Sequence, residues 1–353
     1  MIVNPILLQV FRNRFVAIAE EMGITLGRTA FSPNIKERRD YSCALFDRRG
    51  DMIAQAAHIP VHLGSMPLSV KAAIAAIEMQ PGDMVMLNDP FAGGTHLPDI
   101  TLVAPVYVDD SNQPAFYVAN RAHHSDVGGM SPGSMPIATS IFQEGLIIPP
   151  TLIVRNGEID RNLFQLLLRN VRTPQEREGD FAAQVMANLT GVERSKQLVA
   201  KYGLQQTCDY AGYLNDYAEK MLRQTIAAIP DGEYRFEDHL DNDGVDPQPV
   251  PLKLTLTINE DAAELDFRDC APQVKGSVNA VYAITLSAVL YCFRCLIKEN
   301  VPTNAGIARP LTIRTKPRRR QRRDQPADRR SGARRAGPGD STADPGCQPG
   351  DNE

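Results

Sequence analysis

Histidine is concentrated in one part of this sequence, because five of the six histidines lie between residues 58 and 124 with aspartates interleaved among them. Imidazole and carboxylate are the groups with which proteins hold divalent metals and move protons near neutral pH. The same region contains two Gly-Gly pairs and several prolines, a composition typical of ordered loops that position side chains. We therefore predict that residues 58–126 line a metal site or an active site.

The first motif in this region is the pair His96 and Asp99, which follows a glycine-containing loop that begins at Asn88. An imidazole and a carboxylate three residues apart on a loop can reach a single metal ion from one side, and the glycines let the backbone turn. The alternative is a loop histidine that is only hydrogen-bonded to a nearby aspartate. The motif by itself leaves both interpretations open.

The second motif is His123-His124, followed closely by Asp126 and a Gly-Gly pair. Adjacent residues of an extended segment point in opposite directions, so we expect one histidine to face the site and the other to pack or to support it. A third pair, His58 and His62, could supply a ligand or a proton shuttle, or could be packed in the core. Together, the first two motifs favour a metal site.

Other motifs in the chain do not support a function. Residues 238–244 resemble the start of a calcium loop, but with Gly244 at the sixth position the loop would begin at His239, and its twelfth residue would be Val250, where a bidentate glutamate belongs. An acidic turn between strands is the better interpretation. Cys292 and Cys295 lie in an apolar segment with no second pair, which favours a structural role. No phosphate loop, dinucleotide fingerprint or Gly-x-Ser-x-Gly elbow occurs, so we expect no ATP site in this chain.

The composition is that of a globular protein without a nucleic-acid or membrane partner. Of the 353 residues, 43% are hydrophobic and 23% are charged, and the net charge of −4 argues against nucleic acid. No stretch reaches the ~18 apolar residues that would span a bilayer, and the first 15 residues do not resemble a signal peptide. The six cysteines are dispersed, as expected of free thiols in a reducing cytoplasm.

The elements that would position the histidines alternate between helices and strands, which predicts a mixed α/β chain. We predict helices over residues 5–30, 66–77, 174–200, 208–228 and 278–298, and strands over 41–46, 52–56, 83–87, 100–108, 114–119, 233–240, 250–258, 263–267 and 311–314. Thr173 and Glu176 form a candidate capping box for the third helix. The strands over 233–240, 250–258 and 263–267 suggest an antiparallel sheet. The two histidine motifs then fall in loops that follow strands.

Residues 317–353 differ from the rest of the chain. They contain nine arginines but no lysine and none of the large apolar residues. Such a segment has no apolar surface to bury, so we predict a disordered tail. The GC-rich codons of Arg, Pro, Gly and Ala favour an out-of-frame translation, and a basic arm for RNA or a membrane is the alternative.

Seven blocks, in this order along the chain, resemble the hydantoinase B/oxoprolinase family. The blocks are residues 34–42, 58–66, 88–99, 123–129, 143–146, 179–180 and 302–306. The resemblance extends from residue 4 to about residue 315 and is specific, because many uncommon blocks occur in the right order. The family includes the B subunits of ATP-dependent N-methylhydantoinases, 5-oxoprolinases, and related subunits of acetone and acetophenone carboxylases.

The resemblance implies a large mixed α+β fold and a division of labour with an A-type subunit or domain that uses ATP to phosphorylate the substrate. The B-type part would then complete the ring opening of a hydantoin or of 5-oxoproline. Carboxylation of a ketone and a non-catalytic scaffold are the alternatives. Family members continue with ordered sequence beyond residues 302–306, so we expect residues 1–316 to form a domain that is incomplete at its C-terminal end.

The resemblance also implies site residues. In the acetone carboxylase branch the corresponding subunit binds a divalent metal, and its motif maps onto His96, Asp99 and one of His123 or His124. Our hypothesis is that a Mn, Zn or Fe ion held by His96, Asp99 and His123 polarises an oxygen of the substrate or activates water. Asp126 or His124 would orient the ligands, and Glu144 or His62 would carry protons. We expect a cytoplasmic hetero-oligomer with the A-type subunit.

Overall fold

The computed structural model describes residues 3–57, 59–109, 111–299 and 301–316. These residues form a seven-stranded sheet and a four-stranded sheet with helices packed on both. The helices are α1 (Pro5–Thr29), α2 (Pro33–Lys36), α3 (His62–Ala76), α4 (Arg161–Arg169), α5 (Pro174–Tyr202), α6 (Leu204–Ile226) and α7 (Tyr282–Leu296). The strands are β1 (Tyr41–Asp47), β2 (Met52–Ala57), β3 (Met84–Leu87), β4 (Asp99–Val106), β5 (Phe116–His123), β6 (Thr151–Arg155), β7 (Glu158–Ile159), β8 (Gly232–Leu240), β9 (Val250–Asn259), β10 (Ala262–Asp266) and β11 (Leu311–Arg314). The prediction of a disordered tail at residues 317–353 lies outside the described residues.

The seven-stranded sheet is antiparallel throughout, with the order β2-β1-β5-β4-β3-β6-β7. Helices α1 and α5 cover one face of this sheet with a large apolar core that includes Phe11, Phe15 and Met22. Helix α3 covers the other face, where Met66 and Val70 join a second core. Every residue of β4 is buried, because the central strands have helices on both sides.

The two long helices on this sheet begin differently. Asn4 caps α1, because its side-chain oxygen accepts hydrogen bonds from the backbone nitrogens of Ile6 and Leu7. The predicted capping box of α5 is wrong, since the side chain of Thr173 makes no capping hydrogen bond. The carboxylate of Glu176, which was to complete the box, is paired with the buried guanidinium of Arg177 instead.

The second sheet has the order β11-β10-β9-β8 and is covered by α6 and α7. The predicted antiparallel arrangement is confirmed for β8, β9 and β10, whereas β11 joins β10 in parallel. Helix α7 is shorter than predicted and only partly buried: Tyr282, Tyr291 and Leu296 are each about half exposed. Among the described helices, none is long and apolar enough to cross a membrane.

Two elements extend further toward the histidines than predicted. Strand β5 continues to His123 rather than ending at residue 119, and α3 begins at His62 rather than at residue 66. The polar residues Asn120 and Arg121 suggest a loop by periodicity, but they are fully buried on partners from α5, β4 and α3. Buried polar groups with partners are compatible with a central strand.

Candidate metal centre

The β4–β5 pair brings two of the predicted ligands together at one end. Asp99 is the first residue of β4 and His123 is the last residue of β5, and they are directly opposed partners in the antiparallel ladder. His96 reaches the same place from the loop before β4. These three residues form a group whose ligand atoms all lie within 4.8 Å of one another.

The three ligand atoms lie at almost equal separations. His96 Nε2 is 3.0 Å from Asp99 Oδ1 and 3.1 Å from His123 Nδ1, and His123 Nδ1 is 3.3 Å from Asp99 Oδ1. Asp99 and His123 are largely buried, whereas 40% of the His96 side chain is exposed. The group therefore has a buried floor and one side that is open to solvent.

Charge within the group shifts two pKa values. Burial alone would raise the pKa of Asp99, but the charge of His96 and hydrogen bonds from the neighbouring imidazoles hold that pKa well below its ordinary value. Burial alone would lower the pKa of His96, but the carboxylate of Asp99 raises it above the ordinary value. Asp99 is thus ionised at neutral pH and offers a carboxylate oxygen to the two imidazoles.

The other oxygen of Asp99 is held by residues behind it. Asp99 Oδ2 accepts a hydrogen bond from the hydroxyl of Thr95 and lies 3.5 Å from His62 Nε2. His62 Nδ1 lies 2.9 Å from Ser42 Oγ, and both side chains are fully buried. These contacts leave Oδ1 directed at His96 and His123, so His62 supports the carboxylate from behind rather than joining the three ligand atoms. His58, the other residue of that predicted pair, lies outside the described residues.

The loop that carries His96 is fixed by Asn88. Asn88 Nδ2 donates to the backbone oxygens of Leu97 and Leu146, at 2.7 and 2.9 Å, and Asn88 Oδ1 accepts from the backbone nitrogen of Ile148 at 2.6 Å. Gly93 has a φ of 85°, and a Cβ there would collide with the backbone of α3. The glycine is therefore required by both the turn and the close approach.

Asp40 also lies beside the group, although the spacing of the motifs does not predict it. Its Oδ2 lies 3.8 Å from His123 Nδ1, and its backbone oxygen accepts a hydrogen bond from the backbone nitrogen of His123 at 2.9 Å. Asp40 precedes β1, which pairs with β5 along its length. It belongs to one of the family-like blocks, residues 34–42, but no local spacing relates it to the histidines.

His124 lies apart from the three ligand atoms. Its Nε2 contacts Gln184 Oε1 at 2.9 Å, and its ring packs against Phe181 of α5. Burial, reinforced by the charge of Arg177, lowers the pKa of His124 to about 4. The two adjacent histidines thus face opposite sides of the sheet, with His123 in the group and His124 against α5.

Asp126 is also outside the group and organises the glycine loop that follows. Its carboxylate accepts hydrogen bonds from the backbone nitrogens of Gly128, Gly133 and Arg172 and pairs with the Arg172 guanidinium at 2.8 Å. Burial alone would raise the pKa of Asp126, but the Gly128 and Arg172 hydrogen bonds lower it. Its contacts are those of a loop anchor.

Glu144 is close enough to His96 for the charge of that residue to affect its pKa. It follows the short 3₁₀ helix Ile141–Gln143 and is partly buried. Burial raises the pKa of Glu144, and the charge of His96 partly offsets this rise. A carboxyl group whose pKa is shifted toward neutrality beside a candidate metal site is suited to proton transfer.

A cavity of about 310 Å³ opens onto the group. Its lining consists of a polar set, called the floor here (His96, Asp99, His123, Asp40 and Thr95), and a largely apolar set, called the wall (Ile59, Val61, Ile284 and the segment 277–281 before α7). The segment is tethered through Gly276, whose backbone nitrogen donates to Asp243 Oδ2 at 2.8 Å. Asp243 belongs to the acidic turn between β8 and β9, as predicted in place of a calcium loop. The cavity thus joins a polar, ligand-bearing floor to a largely apolar wall.

The sequence and the fold belong to a known class of protein. Residues 4–323 match the sequence profile of the hydantoinase B/oxoprolinase family, and the chain is a member of that family. The chain is 38% identical over 333 residues to the 5-oxoprolinase of Saccharomyces cerevisiae, covering 88% of this chain and 25% of that protein. The predicted family is therefore confirmed.

Two solved structures share the fold. The ATP-dependent caprolactamase from Pseudomonas jessenii superposes with a TM-score of 0.83 at 30% identity, covering 90% of this chain and 55% of that one. A nucleotide-free acetone carboxylase superposes with a TM-score of 0.80 at 21% identity, covering 87% and 43%, and shows the fold alone. The chain thus spans between about a quarter and about half of the length of these three proteins. The predicted mixed α+β fold is confirmed.

Proposed function

We propose that this chain is the metal-binding, B-type part of an ATP-dependent cyclic amide hydrolase. The observation that carries the proposal is the convergence of His96 Nε2, Asp99 Oδ1 and His123 Nδ1, within 3.0 to 3.3 Å of one another, on the floor of a cavity. The family includes 5-oxoprolinases among its named members, and the related caprolactamase is named for a cyclic amide. These names favour hydrolysis over the carboxylation of a ketone.

The donor set fits a divalent transition metal. Two imidazoles and one carboxylate with open positions are the ligands with which proteins hold Fe, Mn or Zn. Asp99 is buried, and its second oxygen already accepts a hydrogen bond from Thr95 and lies 3.5 Å from His62 Nε2, as is common for a ligating carboxylate. A metal bound here would supply a Lewis acid for a substrate oxygen and lower the pKa of a bound water.

The surrounding residues can bind the ring of the substrate and transfer protons. The apolar side chains of Ile59, Val61 and Ile284 suit the CH₂ groups of a lactam or hydantoin ring, which supports a binding mode with the amide facing the polar floor. Asp40 lines the cavity and lies 3.8 Å from His123, and Glu144 is close enough to His96 for the charge of that residue to affect its pKa. Ring opening requires a base for the attacking water and a proton for the ring nitrogen as the C–N bond breaks, and these two residues can hold the protons.

The use of ATP is assigned to a partner. The sequence has no phosphate loop, whereas the related caprolactamase is ATP-dependent. The chain also spans only a quarter of the yeast 5-oxoprolinase. We therefore propose that an A-type subunit transfers a phosphoryl group from ATP to the amide oxygen and releases ADP. Water then attacks the activated ring carbon at this site, the C–N bond breaks as the ring nitrogen takes a proton, and a second water hydrolyses the resulting acyl phosphate to the carboxylate and inorganic phosphate.

The proposal is tested by metal analysis and by reconstitution. We expect about one Mn, Zn or Fe per wild-type chain, ATP-dependent ring opening only when an A-type subunit is added, and loss of both in His96→Ala and Asp99→Ala. His239→Ala is the matched control, because His239 is exposed on β8. Full metal retention and full activity in the two site variants would contradict the proposal.

A further inference from the structure

Gln184 is a buried polar residue that lies between the two ligand-bearing strands. It belongs to α5, which packs across β4 and β5, and its side chain is fully buried. The side chain bonds to Ile100, the residue after Asp99, and to His124, the residue after His123. One amide group therefore contacts the chain neighbours of two ligands.

The hydrogen bonds fix the orientation of this amide. Gln184 Nε2 donates to the backbone oxygen of Ile100 at 2.9 Å and to Asn120 Oδ1 at 2.9 Å. A backbone carbonyl can only accept, so the amide nitrogen must face Ile100. Gln184 Oε1 is then left to accept from His124 Nε2 at 2.9 Å. All the polar positions of the amide are used, and a flipped amide would lose the bonds to both strands.

The position of these bonds along the strands matters. Asp99 and His123 are the terminal pair of the β4–β5 ladder, and strand ends open more readily than strand centres. A side chain that holds the next residue of each strand limits this opening. It also limits rotation of the two strand ends relative to each other.

We propose that Gln184 is a positioning residue of the metal centre, which sets the separation of Asp99 Oδ1 and His123 Nδ1 by clamping the ends of β4 and β5. The inference rests on the proposed function, because it concerns the same ligands. Metal ligands commonly depend on such outer partners. Here the partner acts through the backbone and through the adjacent histidine rather than on the ligand itself.

The same helix offers a matched control in Asn188. Asn188 is also fully buried, donates to the backbone oxygen of Leu102 at 3.2 Å and accepts from Asn120 Nδ2 at 2.9 Å. Its bonds therefore join α5 to the same two strands. They do so three residues inward from the ligand pair, so Asn188 contributes to packing without clamping the strand ends.

The test compares Gln184→Met with Asn188→Leu in the full chain, using Mn(II) as the probe. Affinity is measured by calorimetric titration, the ligand geometry by the EPR spectrum of bound Mn(II), and folding by the melting temperature without metal. We expect both variants to melt earlier than the wild type. Only Gln184→Met should weaken Mn(II) binding, by about 10–100-fold, and change the EPR spectrum. Gln184→Glu, which cannot donate to Ile100, should behave like Gln184→Met and replaces it if that variant does not fold.

The outcomes separate the two proposals. Wild-type affinity and an unchanged EPR spectrum in both Gln184 variants would overturn the positioning role and leave the metal centre standing. Equal losses of affinity in the Gln184 variants and Asn188→Leu would also overturn it, because general packing would then explain the effect. Absence of Mn(II), Zn(II) and Fe(II) binding by the wild type would overturn the proposed function and this inference with it.

Discussion

Replacement of Asn88 provides a worked test of how the His96 loop is held. The Asn88 side chain is fully buried and makes three hydrogen bonds, to Leu97, Leu146 and Ile148. A typical hydrogen bond contributes about 0.5–1.5 kcal/mol net, and a buried partner left without a bond costs about as much or more. We therefore expect Asn88→Leu, which keeps the shape but makes none of these bonds, to lower the free energy of unfolding by about 2–4 kcal/mol.

Asn88→Asp is the more specific variant, because it removes the two donated hydrogen bonds and keeps the accepted one. An aspartate keeps the acceptor for the backbone nitrogen of Ile148, but it places an oxygen against the carbonyl oxygens of Leu97 and Leu146. We expect it to destabilise the protein at least as much as Asn88→Leu at neutral pH, because one oxygen of the buried carboxylate would face two carbonyl oxygens and have no hydrogen-bond donor. Both variants should also weaken metal binding, since Leu97 directly follows His96.

The assay is urea unfolding followed by circular dichroism, with Mn(II) titration of the same samples. Asn13→Leu is the control, because Asn13 is exposed on α1 and its side chain accepts a hydrogen bond from Gln9 one turn away, and surface changes usually stay within about 0.5 kcal/mol. If Asn88→Leu unfolds like Asn13→Leu and binds Mn(II) normally, the loop is not held in the way described.

Three further predictions address the glycine turn, the loop anchor and the partner. Gly93→Ala should lower the melting temperature and the metal affinity, because φ is 85° and a Cβ would meet the backbone of α3; an unchanged melting curve would contradict this. Asp126→Asn should destabilise the protein at pH 7, and the deficit should shrink in acid. The folded pKa of Asp126 is lowered, so its stabilisation is present above the unfolded pKa of about 3.9 and is lost as pH falls through the folded pKa. Melting temperatures of both proteins from pH 7 to pH 2 check this, and a deficit that grows with acidity would refute it. The isolated chain should show no ATP turnover in a phosphate-release assay, and sustained turnover would contradict the assignment of ATP to a partner.

Much of the fold follows from local patterns in the sequence. The spacing of Phe11, Phe15, Ile18 and Met22 predicts α1, and the structure buries these residues. The β1–β2 hairpin, α5, α6 and the second sheet follow from periodicity in the same way. Periodicity does not predict strand residues that are polar and buried, so it predicts an end of β5 before Asn120 and Arg121.

The site was only partly predictable, because its geometry depends on the pairing of strands. His96 and Asp99 are close in sequence, so their spacing indicated a shared role. Alternation indicates that His123 and His124 point in opposite directions. It does not indicate which of them faces the site, because that depends on how β5 pairs with its neighbouring strands. Asp40 and Gln184 come from distant parts of the chain, and nothing in their local sequence predicts that they lie near the site.

The most direct measurement is the anomalous scattering of a crystal grown with Mn(II) or Zn(II) and recorded at the absorption edge of the metal. We expect one strong peak about 2.0–2.2 Å from each of His96 Nε2, Asp99 Oδ1 and His123 Nδ1. A peak only at another residue, such as the exposed His239, or no peak in a crystal soaked at saturating metal, would show that these three side chains do not form a metal centre.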